Sequence, residues 1–511
     1  MQRRRDIRGC SAACSGKTLS GGTRLMLRTF KRLAGSNTSK RSGRAMFAFL
    51  ARSLQQISTL AIMLVSATFL DAAEFGVYSL GIIFMMLVQA MTYTGFFHFT
   101  ITSNAPDDEV LSTSFWLIIG LATAASVLLA VLAYPIAWVF SADELGPVTL
   151  LLALSQPGAS FLAWASAALM RQGRVNVNFQ VMFWQNLASL IGGVAMLWYW
   201  QSIYALVAYQ YMRVGLGFVM YVLVGVKFPG FKYSKELARI AISFSGGLYG
   251  SRALNFFSKY AADLLLGLFY TPTDVGLYRF GNRVATGITE SFVQPMGNFA
   301  IASFGAIART TREFERPLEQ YMGAMGLMTG MLSAIIIVYA EEALIYLFPA
   351  YVGALMVTYA MALRGVVGMG RWMMEPVFSG FGETKWVMQC NLVAAVTSLV
   401  AVFAAFPLGL EGMAWSQAVV NVGHTIFALY LMQTKAGLRV GRAVRLFLIG
   451  ILLAAVYGGV LEIIWLVVLS QSSLAPLTML VCGGISAAVL APVFLAIGVR
   501  LNVFTLDIFA G

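Results

Sequence analysis

The sequence predicts an all-α, polytopic membrane protein. About fourteen transmembrane helices form two parallel-repeat six-helix lobes around a central cavity, followed by two additional C-terminal helices. Three observations lead there. Of 511 residues, 59% are hydrophobic and only 11% charged, against about 25% charged in a soluble domain; mean hydropathy is +0.77. Apolar runs recur from residue 45 to the end, each near the roughly 20 helical residues that a bilayer core requires. The stretch FGVYSLG at 75–81 returns as VGLYRFG at 275–281.

The first 44 residues carry twelve Arg or Lys and one acid, Asp6. They lack the apolar run of a signal peptide and are expected to be a disordered, lipid-facing cytoplasmic tail. Initiation at Met26 or Met46 is the alternative. Beyond the tail, 23 bases face 21 acids, so the rest of the chain is almost neutral.

Spans are expected near 45–70, 76–103, 111–140, 148–170, 179–200, 203–226, 241–269, 276–304, 318–340, 352–380, 386–406, 412–433, 446–469 and 476–497. Their loops are too short to hold a soluble catalytic domain. With the N-terminus inside, the inner connections RQGRVNVN (171–178), KFPGFKYSKELAR (227–239), ARTTREFER (308–316), GETK (382–385) and TKAGLRVGRAVR (434–445), with Arg500, hold fifteen bases. The opposite connections hold none. Lys and Arg favour the cytoplasmic side, so both termini are predicted to be cytoplasmic. The acidic inner loop NAPDDE (104–109) breaks the pattern.

Sliding 48–81 over 248–281 without a gap gives nine identities in 34 positions, among them Arg52 with Arg252, Gly76 with Gly276, Tyr78 with Tyr278 and Gly81 with Gly281. Both copies enter from the cytoplasm, so the repeat is parallel, as in many transporters. The predicted divisions are the tail 1–44, a first lobe 45–240, a second lobe 241–445, and 446–511 holding the two extra helices. Gly246 and Gly250 have the GxxxG spacing of a packing face.

Eight bases lie inside spans: Arg52, Arg213, Arg252, Lys259, Arg279, Arg283, Arg364 and Arg371. Four acids join them: Asp263, Glu290, Glu375 and Glu462. Each costs about 2.5–3.5 kcal/mol at mid-membrane on the mild insertion scale. Their spacing is ordered. Arg252, Asn255, Lys259 and Asp263 share one helical face; so do Arg279, Arg283, Glu290 and Gln294, and so do Arg364, Arg371 and Glu375. Such faces belong in a wet cavity between the lobes. Two readings stand. Lys259–Asp263 and Arg371–Glu375 form i,i+4 ion pairs that satisfy each other. Alternatively, the surplus Arg52, Arg252, Arg279, Arg283 and Arg364 attracts an anion, with Arg suited to phosphate through its bidentate fork. His98 and His424 are expected to make ordinary polar contacts. Cys10, Cys14, Cys390 and Cys482 support neither a metal site nor disulfides. No nucleotide loop or hydrolase motif occurs, so no enzyme, metal or cofactor is expected.

The doubled FG-x-Y turn, the short loops and the span count resemble the polysaccharide transporters, the Wzx-type oligosaccharide flippases of the multidrug/oligosaccharidyl-lipid/polysaccharide exporter (MOP) superfamily. VGLYRFGNRVATGITESFVQPMGNFAIASFGAI (275–307), with Pro295, is similar to the family's second-lobe opening. EEALIYLFPAYVGALMVTYAMALRGVV (341–367) is similar to its next outer turn, with Phe348–Pro349 where the family has Phe-Gly. The resemblance implies alternating access and a polyprenyl-pyrophosphate-linked oligosaccharide as cargo. It implies a bacterial inner-membrane location and a role in capsule, exopolysaccharide or O-antigen assembly. Expected partners are this anionic lipid-linked oligosaccharide, membrane lipids, and the polysaccharide polymerase and export machinery, with no nucleic acid. A peptidoglycan-precursor flippase shares the fold and an anionic cargo. A cation exporter calls for acids to dominate the cavity.

Overall fold

In a computed structural model, residues 54, 56–92, 94–306, 311–381, 383–469 and 475–505 are described. The basic tail 1–44 with Cys10 and Cys14, the cavity candidate Arg52, and Arg309 lie outside the described residues, as do the side chains of Asn255, Gln294 and Pro295. Helices are the only regular elements among the described residues. In order they are α1 (Gln56–Ser66), α2 (Ala72–Thr92), α3 (Thr94–Thr102), α4 (Asp107–Val139), α5 (Leu145–Leu154), α6 (Gln156–Arg171), α7 (Val175–Trp200), α8 (Ile203–Leu223), α9 (Lys235–Phe269), α10 (Pro272–Ala306), α11 (Thr311–Leu347), α12 (Leu355–Val367), α13 (Met369–Trp372), α14 (Met374–Phe381), α15 (Thr384–Ala405), α16 (Gly409–Lys435), α17 (Gly441–Ile464) and α18 (Pro476–Arg500).

Helix stands in each of the fourteen predicted spans. Ten described segments are long and apolar enough to cross a membrane by length and composition, one of which, Lys385–Lys435, contains both α15 and α16. The fourteen are not all recovered by that measure. Span 1 is represented only by the short α1, and α9 and α10 are outside the ten although each has 35 residues. Those two helices carry half of the twelve charges that the sequence places inside spans.

The repeat is built twice from the same parts. At the start of α2, Asp71 Oδ1 accepts from Glu74 N at 2.8 Å while Glu74 Oε2 accepts from Asp71 N at 3.2 Å. At the start of α10, Thr271 Oγ1 accepts from Asp274 N at 3.2 Å while Asp274 Oδ2 accepts from Thr271 N at 3.1 Å. These are reciprocal capping boxes, which satisfy the orphan amides of a helix start. α2 then crosses α10 at the repeat glycines. A Cβ on Gly76 would overlap the Pro272 carbonyl oxygen and lie 2.9 Å from Gly276 N; one on Gly276 would overlap the Ala72 carbonyl oxygen and lie 3.1 Å from Gly76 N.

Tyr351 closes the same end. Its buried hydroxyl donates to the carbonyls of Leu70 and Asp71, each at 3.1 Å, and its ring packs on Phe280 with centroids 4.4 Å apart. At the start of α4, Arg171 accounts for one of the three acids of the acidic loop, Asp107. Its Nε meets Asp107 Oδ1 at 2.7 Å, and its other nitrogens donate to the carbonyls of Thr100, Ser103 and Ala105 at 2.9, 2.7 and 2.7 Å. The acid is there to hold a buried guanidinium.

The last two helices stand outside the repeat. α17 packs along α11, where small residues bring the backbones together: a Cβ on Gly450 would lie 2.7 Å from Leu327 N and 2.8 Å from the Gly323 carbonyl. Gly246, by contrast, has nothing within 4 Å of a Cβ. The other glycine of that GxxxG spacing, Gly250, has its surroundings outside the described residues.

Candidate functional site

Eight of the ten candidate site residues fall into two neighbouring groups. The first sits where α9 runs beside α10. Asp263 is fully buried and Arg279 Nη1 lies 3.7 Å from its Oδ2, with the Arg279 side chain 12% exposed. The predicted Lys259–Asp263 pair is not the contact made. Lys259 is exposed on α9 and its Nζ lies 5.6 Å from the Tyr260 ring centroid. The Arg279 guanidinium lies 5.0 Å from the same centroid, within cation–π range. The physical reason is geometric: i,i+4 spacing puts two side chains on one face, but the turn at 270–272 brings the Arg of the next helix onto a buried carboxylate. Arg283, one turn further along α10, is half-buried between the charges of Arg279 and Glu290.

The second group lines a cavity of about 280 Å³. Its walls come from α10, α12, α13, α14, α15 and α16, and include Glu290, Arg364, Arg371, Glu375, Asn391 and Asn421. Every lining residue falls between Thr286 and Asn421. The walls of this cavity therefore come from the second half of the chain. The segment from 349 to 381 makes it possible. It comprises a 3₁₀ turn and three short α-helices whose junctions at Gly368 and Met373 keep right-handed helical backbone, so Arg364, Arg371 and Glu375, at i, i+7 and i+11, stay on one face and line one space.

Within the cavity, Arg371 Nη2 donates to Asn391 Oδ1 at 3.3 Å, and Arg364 Nη1 lies 3.5 Å from Met361 Sδ. The predicted Arg371–Glu375 ion pair does not occur among the described residues. Beside it, buried His424 shares a 2.6 Å hydrogen bond between Nε2 and Thr397 Oγ1, the ordinary polar contact expected. His98 is exposed at α3, in the electrostatic reach of Arg252.

Of the ten site candidates, Glu290, Arg364, Arg371 and Glu375 line the cavity; Lys259, Asp263, Arg279 and Arg283 form the adjoining group; Arg252 is half-buried further along α9; and Arg52 lies outside the described residues. Asn391, Asn421 and Trp372 were missed. Each is a polar or amphipathic side chain in an apolar run, which is the signal that finds them. Among the described residues, no group of three or more His, Cys, Asp or Glu is placed to hold a metal ion.

Comparison with known proteins bears on this arrangement. A profile of the polysaccharide biosynthesis protein family matches residues 65–350. No curated protein sequence matches. Among solved structures, lipid II flippase MurJ in an inward closed conformation superposes with a TM-score of 0.70 at 11% identity, covering 89% of this chain and 98% of that one. An inward-facing multidrug resistance MATE transporter of the MOP superfamily gives a TM-score of 0.60 at 13% identity, covering 75% and 94%. A MOP superfamily transporter from Pyrococcus furiosus gives 0.52 at 12% identity, covering 76% and 94%. The profile spans more than half of the chain and the superpositions give its fold, so the chain belongs to the polysaccharide biosynthesis protein family, a multi-pass membrane protein with the fold of the MOP superfamily transporters and flippases.

Proposed function

We propose that the chain flips a polyprenyl-pyrophosphate-linked oligosaccharide repeat unit from the cytoplasmic to the periplasmic leaflet of a bacterial inner membrane, for capsule, exopolysaccharide or O-antigen assembly. Both termini are cytoplasmic in this scheme. One observation carries it. Within the predicted spans, away from their edges, helices α9–α14 bring six cations, Arg252, Lys259, Arg279, Arg283, Arg364 and Arg371, and only three acids, Asp263, Glu290 and Glu375, into the bilayer region. Asp263 already neutralises Arg279. Arg283 makes no ion pair among the described residues and sits beside the cavity, so it is the residue we assign to the pyrophosphate, with two charge-assisted hydrogen bonds available from its fork. Arg252 extends the cationic path along α9.

The two halves supply the motion. Their outer ends are in contact at Gly76–Gly276 and at Tyr351, a closed outer seal that must open for release. The lipid tail stays in the bilayer throughout. A peptidoglycan-precursor flippase uses the same pyrophosphate chemistry and is separated from this reading by the carrier that accumulates. A drug or cation exporter is disfavoured, because bases outnumber acids.

The test is Arg283→Glu in cells that depend on this chain. The expected result is normal membrane insertion with a lipid-linked repeat unit trapped on the inner leaflet. Normal surface polysaccharide from that variant contradicts the assignment.

A further inference from the structure

Resting on the flippase reading, we infer that the cavity between α10 and α12–α16 is a sugar subsite, which receives one pyranose ring of the cargo and not its phosphates.

The first ground is charge. Arg364 and Arg371 face the same space as Glu290 and Glu375. A pyrophosphate placed there would meet two carboxylates, and like charges brought together are a standard device for rejecting a ligand. The cationic surplus lies next door, at Arg283.

The second ground is unused hydrogen-bonding capacity. Among the described residues neither Glu290 nor Glu375 accepts a hydrogen bond or forms an ion pair. Arg371 gives one nitrogen to Asn391, and the Arg364 guanidinium makes its one hydrogen-bond contact among the described residues to the Met361 sulfur. Guanidinium donors and carboxylate acceptors thus line one cavity without satisfying each other. A sugar hydroxyl is both donor and acceptor, so a polyhydroxylated ring matches such a mixed wall. A simple anion or a simple cation matches half of it.

The third ground is size and shape. At about 280 Å³ the cavity falls just under the roughly 300–1,000 Å³ of sites for drug-sized ligands. It holds one small group, not a whole oligosaccharide. Trp372, 41% exposed, stands in its wall and offers an apolar indole face to the C–H side of a sugar ring.

The test is saturation-transfer NMR with the full chain in lipid nanodiscs. The probes are methyl glucoside, methyl N-acetylglucosaminide, methyl glucuronide and, as a zwitterion, D-alanyl-D-alanine. The expected result is transfer to ring protons of at least one glycoside. Binding should weaken about tenfold in a Glu290→Gln/Glu375→Gln double variant, the scale of a lost charged hydrogen bond. It should also be lost in Trp372→Ala and retained in Trp372→Phe, which preserves the ring and guards against misfolding. Absence of transfer to every glycoside, transfer to the dipeptide alone, or glycoside binding that survives the double substitution overturns the proposal. If it fails while depletion of the protein still traps a lipid-linked glycan inside, the subsite alone is wrong. Sugar binding without such trapping removes the flippase reading instead.

Discussion

Gly76 and Gly276 touch backbone to backbone where α2 crosses α10, each occupying the place where a side chain on the other helix would need room. The two residues are equivalent copies in the internal repeat, so the repeat is the contact: one turn is used twice because the two copies pack against each other. Each glycine lets the partner's carbonyl, four residues before the partner's own glycine, come within reach. Gly76→Ala or Gly276→Ala must push the helices apart at a point where only backbone can yield. The expected cost is about 1–3 kcal/mol or more, typical of overpacking, seen as a lower melting temperature in detergent. Gly120, which has nothing within 4 Å of a Cβ, should accept Ala without such a loss.

The Asp263–Arg279 contact should behave as a buried pair. Removing one partner leaves an uncompensated charge, at about 3–5 kcal/mol, while replacing both with apolar residues costs much less. Asp263→Leu and Arg279→Met should each destabilise strongly, and the double variant should recover much of the loss. Strictly additive effects in thermal melts would show that the two side chains are not coupled.

Tyr351→Phe keeps the ring on Phe280 but loses the hydroxyl bonds to Leu70 and Asp71. About 1 kcal/mol removed from a closed seal shifts an open–closed equilibrium about fivefold. The buried Ser66, changed to Cys in a background lacking the native cysteines, should then react faster with a thiol reagent added from outside. An unchanged rate would mean that Tyr351 does not hold that end shut.

Arg171→Ala should expose the segment 100–107. Three carbonyls and one carboxylate lose their donor, at about 1–3 kcal/mol for each buried group left unsatisfied, with less from Asp107 because it is 65% exposed. Hydrogen exchange at Ser103–Asp107 should rise, while exchange in α7 and α8 stays as in the parent chain.

Much of the fold was legible in the sequence. Apolar run length marks the spans because the bilayer fixes it, and a gapless 200-residue offset marks the repeat because both copies keep the same turn chemistry. The capping boxes were readable too, as DAAE at 71–74 and TPTD at 271–274, although only the glycines and tyrosines drew notice. The site was less legible. Helical periodicity orders side chains on one helix but says nothing of the next helix, so Lys259 was paired with Asp263 where Arg279 takes the contact. The shared face of Arg364, Arg371 and Glu375 was legible, because the segment stays helical through Gly368 and Met373; that this face meets α10, α15 and α16 around one cavity depends on how helices pack, which periodicity does not give. Asp107 in the acidic loop at 104–109 looked like a topological exception because its partner, Arg171, is 64 residues distant in the chain.

The most direct test of the central claim is mass spectrometry of polyprenyl-pyrophosphate-linked glycans from cells depleted of this protein, with the leaflet determined by a membrane-impermeant probe. The account predicts a complete repeat unit accumulating on the cytoplasmic leaflet. No accumulation, or accumulation on the outer leaflet, would contradict it.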